Sequence, residues 1–304
     1  MSEYIVHTAL MQDCFNLLLK TSWLCPEFQY AIKKERAFGE AASTTKSGDV
    51  YTWRIMEDLR LRWTEQNACE LASLLAFVLG WVSHRAADRQ MKPVFRAAVD
   101  PETKKSVGND CTLYNEAEIL RTYYLDQSDN PYKDTFDLLN NTFSFSGVDL
   151  ISMQKLFHGM LQMAFMRMHT IKPALDYDIA GIKKWIGKIY DLLQEFKINL
   201  ELEATILVNP DPEKYKKYIL DTNFFNHNDP LIHAAKAIRK KENISEKEVE
   251  CAIDAPQTSD YAIALQTALR YVRACNDYFS YALTLDELKK QLNIGELGSD
   301  GLWV

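Results

Sequence analysis

The feature that most constrains this chain is its longest apolar run, Leu71 to Val82, which leads straight into a polar cluster, Ser83-His84-Arg85-Ala-Ala-Asp88. The run is longer than an ordinary strand of about 5–6 residues. It is too short for the ~20 apolar residues that span a bilayer. A helix buried on nearly all sides is what remains, expected over Glu70–Met91 and ended by Pro93. His84 and Asp88 are four apart, so they lie one turn above each other on one face. Polar groups at the end of a buried helix need polar neighbours. Two readings fit. The pair is a single ion pair or hydrogen bond closing the core, or it is two ligands of one metal ion, since zinc accepts both imidazole and carboxylate.

Turn residues are scarce: 11 Gly and 9 Pro in 304 residues. Long elements follow, and apolar spacing makes them helices. Ile5, Leu10, Phe15, Leu18 and Leu19 repeat at helical spacing over Tyr4–Lys20, with His7 at the end of the first turn. Gly39–Gly48 reads as a small, polar loop. Asp49 reads as the N-cap of a helix through Trp53, Met56, Leu59 and Trp63. Pro101–Asp110 reads as a loop and Tyr114–Leu125 as a helix. Val148–His169 is a Met-rich helix, and Asp176–Leu207 holds one or two more. Asn209–Pro212 is a break. Asp229-Pro230 is a cap with a first-turn proline. Ser245–Glu248 and Thr284–Glu287 are capping boxes, and Gln257–Leu283 is a long helix between them. Alternating strand patterns are nearly absent. The fold class is therefore all-α, a multi-helix bundle. No linker is polar or long enough to divide it, so residues 1–304 are expected to form a single helical domain.

Charge excludes some partners. A net charge of −7 gives no bulk basic surface for nucleic acid or anionic membranes. The N-terminus lacks a basic region followed by an apolar run, so no secretory leader is expected. The six cysteines have no paired spacing and are read as reduced thiols of a cytoplasmic protein. No glycine-rich phosphate loop and no Gly-x-Ser-x-Gly elbow occurs.

The run Gly80-Trp-Val-Ser-His84-Arg-Ala-Ala-Asp88-Arg-Gln-Met-Lys-Pro93 resembles the zinc-dependent phospholipase C family, which is related to the zinc-dependent single-strand nucleases. That family carries Gly-x-x-x-His-x-x-x-Asp-x-x-x-His-Pro on a buried helix of an all-α fold. Gly80, His84, Asp88 and Pro93 match it. The resemblance is clear over the central helix and looser from the N-terminus to about Leu125. It implies a phosphodiester hydrolase acting on a phosphorylated small molecule or lipid head group, with a metal that activates water.

The ligand set is incomplete. The family's next His falls at Lys92, and a protonated ammonium cannot ligate zinc. Its later His-x-x-x-Glu pair falls on Tyr114 and Glu118, of which only Glu118 fits. Its ligand His between Asp49 and the central helix has no counterpart, because no His occurs between His7 and His84. What the resemblance leaves is one zinc at reduced stoichiometry, held by His7, Asp49, His84 and Asp88, with Asp49, Lys92 and Glu118 as the catalytic set. Lys92 or Arg85 would supply positive charge for a phosphate. The alternative is a non-catalytic binding or scaffold protein, a pseudoenzyme that keeps His84–Asp88 as a structural pair.

The remaining histidines have simpler readings. His158 and His169 sit on the Met-rich helix as core or helix-end residues. His227 and His233 flank a helix start as capping or loop groups, and would replace missing ligands only by facing the cleft. Lys236, Arg239, Lys240 and Lys241 read as a solvated helix face.

Overall fold

The computed structural model describes residues 4–43, 49–119, 121–122, 202, 205–206 and 209–296. Among them the fold is all-α, with no strand and one isolated bridge, Val99 to Ser106. The helices are α1 (Tyr4–Leu18), α2 (Pro26–Lys34), α3 (Arg36–Ser43), α4 (Asp49–Arg62), α5 (Ala68–Ala97) and α6 (Gly108–Ile119). They continue with α7 (Pro212–Tyr215), which runs into a π turn over Lys216–Leu220. Then come α8 (Pro230–Arg239), α9 (Glu246–Asp254), α10 (Asp260–Phe279) and α11 (Leu285–Gln291). The expected helices over Val148–His169 and Asp176–Leu207 lie largely or wholly outside the described residues, as do His158 and His169. No described helix is long and apolar enough to cross a membrane.

The central helix is the axis of the bundle. Every residue of α5 from Leu71 to Asp88 is buried. Its most extensive contacts are with α3 and α10, and α1, α2, α4 and α6 also pack against it. The helix does not end at Pro93 as the sequence suggested; it continues to Ala97. Proline inside a helix costs about 3 kcal/mol. Burial of Phe95, whose ring lies 6.2 Å from that of Phe224, is a term of the same order. That packing holds the last turn helical.

A second correction concerns Gly39–Ser43, which is helix and not loop. Gly39 and Gly80 let α3 and α5 touch backbone to backbone. A Cβ on Gly80 would stand 2.1 Å from the Gly39 carbonyl oxygen and 2.9 Å from Ala42 Cβ. A Cβ on Gly39 would stand 2.6 Å from the Phe15 ring. Small residues here serve close packing, and α3 is stabilised by that contact rather than by its own propensity.

Two ties set α1. The Ile5 amide donates to Glu116 Oε1 of α6 at 3.1 Å, a carboxylate on the positive end of a helix. Further along, buried Asp13 pairs with Arg239 of α8 and accepts from Tyr261 Oη of α10 at 3.0 Å. Arg239, part-buried at the end of α8, is thus the ion-pair partner of a buried carboxylate and not part of a solvated face. Lys240 and Lys241 are exposed as expected.

Both expected capping boxes form, Ser245 with Glu248 and Thr284 with Glu287, each reciprocal. Asp229 stands at the cap position of α8 but makes no cap bond. Its carboxylate instead accepts from the Thr258 amide at 2.8 Å and the Ser259 amide at 2.9 Å, holding the entry to α10. Accordingly α10 begins at Asp260, behind Ser259, rather than at Gln257.

Candidate metal centre

The crossing of α3 on α5 determines what His84 meets. Gly80 is one turn before His84, so the close approach there brings the C-terminal end of α3 over the imidazole. His84 Nδ1 lies 2.7 Å from the Ser43 carbonyl oxygen. That oxygen can only accept, so Nδ1 carries the proton. The opposite nitrogen, Nε2, points at Asp88 Oδ2 from 3.1 Å. Two acceptor lone pairs cannot face each other at that distance without a cation between them. That cation is a ring proton, a metal ion, or the Lys92 ammonium that already rests on Asp88 Oδ2.

The tie from Glu116 to the first turn of α1 brings His7 to the same place. His7 Nε2 stands 3.4 Å from Asp88 Oδ1. The His7 and His84 rings stack with centroids 4.2 Å apart and planes 21° apart. All three side chains are buried, and one ligand atom from each lies within 4.8 Å of the others. Zinc held at about 2.0–2.1 Å by tetrahedral ligands sets those ligands roughly 3.3 Å apart. The His84–Asp88 and His7–Asp88 nitrogen–oxygen separations, 3.1 and 3.4 Å, bracket that value.

The residues fit a divalent metal on three counts. The donor set, two imidazoles and a carboxylate, is one that zinc takes. The His84 Nδ1–H bond to a backbone carbonyl is the arrangement that orients a ligating histidine from behind. Asp88 Oδ1 is buried with no hydrogen-bond donor in place. Burial alone would raise the Asp88 pKa, but His84 and His7 hold it well below the usual carboxylate range. With these partners the carboxylate is held ionised.

Lys92, one turn beyond Asp88, puts its ammonium on Asp88 Oδ2, the oxygen that His84 also faces. It is neutralised there rather than standing free for a phosphate. Arg85 is committed elsewhere: its Nε donates to the Leu292 carbonyl at 3.0 Å, and its Nη2 to that of Asn293, so it caps the end of α11. Asp49 opens α4, and its side chain lies outside the described residues.

Glu118 does not join this group. Its buried carboxylate is held by Arg121, by Tyr215 Oη at 3.0 Å and by Thr122 Oγ1 at 3.5 Å. His227 Nε2 lies 3.7 Å from it, while Lys236 Nζ lies 2.8 Å from His227 Nδ1. Burial would raise the Glu118 pKa; His227 and Arg121 bring it below the usual range. His227 therefore serves a separate network, and His233 is exposed on α8. Neither histidine replaces a missing ligand in the group around Asp88. The sequence reading missed Ser43 and Glu116. Ser43 acts through its backbone, which carries no residue signal. Glu116 sits two residues from Glu118, the residue that the motif singled out. Comparison of the chain with protein-family models, curated proteins and solved structures gives no match.

Proposed function

We propose that this chain is a metal-dependent phosphodiester hydrolase with one divalent ion, held by His7, His84 and Asp88. The observation that carries the metal is the His84 geometry: one ring nitrogen bonded to Ser43, the other aimed at an ionised, buried carboxylate beside a second imidazole. The reaction class rests on the resemblance of Gly80–Pro93 to the zinc-dependent phospholipases C. A zinc ion bound here would polarise a phosphoester oxygen and acidify water. The chain's own residues orient and enclose. Ser43 and Glu116 place the two imidazoles, and the apolar walls of α1 and α5 exclude bulk water.

The second reading is a non-catalytic protein in which the same three residues form a structural cluster. The Lys92 ammonium on Asp88 favours it, because it already neutralises the carboxylate without a metal. The two readings separate by measurement. Elemental analysis of purified protein should find up to one zinc per chain, and hydrolysis of bis-p-nitrophenyl phosphate should follow zinc content. Protein that takes up no zinc at neutral pH and cleaves no phosphoester would leave only the structural cluster.

A further inference from the structure

We infer that Lys92 is an internal competitor for the metal: its ammonium and a divalent ion occupy the Asp88 carboxylate by turns. The inference rests on the reading that His7, His84 and Asp88 bind a metal. A metal held by His84 Nε2 finds Asp88 Oδ2 as the carboxylate oxygen nearest at hand, 3.1 Å from that nitrogen. The Lys92 ammonium sits on this same oxygen. A divalent ion and an ammonium sharing one carboxylate oxygen are held within a few ångströms, where their repulsion is large in a buried setting.

The lysine is the partner able to leave. Asp88, His84 and His7 are locked in the core, whereas the Lys92 side chain is 25% exposed, on a flexible four-carbon stem. It can swing toward solvent from the same backbone position, four residues along α5. The empty site then keeps its carboxylate neutralised by Lys92, and loading requires that contact to break. An arginine at this position keeps the charge, and a methionine keeps the length without it.

The test uses the full chain stripped with a chelator and titrated with Co²⁺, whose visible absorption reports coordination. Lys92→Met should bind Co²⁺ about tenfold more tightly than wild type, the scale of one partly exposed ion pair removed. Lys92→Arg should bind no more tightly than wild type, and His84→Ala should bind none. Lys92→Gln repeats the comparison if circular dichroism shows Lys92→Met misfolded. Equal or weaker binding by both neutral variants overturns the competition while leaving the metal site standing. No Co²⁺ binding by any folded variant or by wild type overturns the metal reading, and the competition with it.

Discussion

His7 and His84 stack ring on ring, 4.2 Å between centroids, with both Nε2 atoms turned to the two oxygens of one carboxylate, Asp88. Residues 77 positions apart in the chain meet here because α1 and α5 are each pinned by a third element. Loss of either imidazole should therefore have separable effects on stability and on metal. His84→Ala leaves the Ser43 carbonyl and Asp88 without a shared partner and should cost roughly 1–3 kcal/mol in metal-free protein. It should also abolish any zinc-dependent rise in melting temperature, which in wild type grows with zinc concentration. A zinc-dependent rise that survives in His84→Ala would place the metal elsewhere.

Gly80 predicts the tolerance of the α3–α5 crossing. The added Cβ of Gly80→Ala would meet backbone at 2.1 Å, and backbone cannot rotate away as a side-chain tip can. The helices must separate, which should destabilise the fold by roughly 2–4 kcal/mol. Separation should also lengthen the Ser43–His84 hydrogen bond. Chemical denaturation of Gly80→Ala within error of wild type would mean that the close crossing is not present in solution.

The buried pair Asp13–Arg239 gives a different signature. Arg239→Met removes the counter-charge from a fully enclosed carboxylate and should cost about 3–5 kcal/mol at neutral pH. Burial already raises the Asp13 pKa, with Arg239 and Tyr261 opposing it. Adding Asp13→Asn to Arg239→Met should recover much of the loss, since no charge is then stranded. A double-mutant cycle with simply additive costs would contradict direct pairing.

Glu118 makes a pH prediction with a defined sign. Its folded-state pKa lies below the ordinary value of 4.5, because His227, Arg121 and Tyr215 together outweigh burial. The unfolded chain therefore takes up the proton first as pH falls. The stabilisation is complete above the ordinary glutamate range and is lost as pH drops from there through the lower folded value. Urea titrations of wild type and Glu118→Gln should differ most near neutral pH and converge in acid. A gap that widens on acidification would reverse the assignment.

Much of the architecture is local and could be read from the chain. The Ser245–Glu248 and Thr284–Glu287 boxes work through atoms three residues apart, so residue identity suffices to place them. The apolar run of α5 has to be buried wherever it lies, and His84 and Asp88 share a face by helical period alone. Other features depended on partners distant in sequence. Pro93 stays helical because Phe95 packs on Phe224, and Gly39–Ser43 is helix because Gly39 lies against Gly80. Arg239 turns inward because Asp13 is there. The candidate centre divides the same way. Sequence determined that an imidazole and a carboxylate stand one turn apart at the end of a buried helix. Only the tertiary structure decided that His7 completes them, that Glu118 belongs to another network, and that Lys92 holds the carboxylate. Contacts between segments are set by the packing of whole helices, and no single segment encodes its partner.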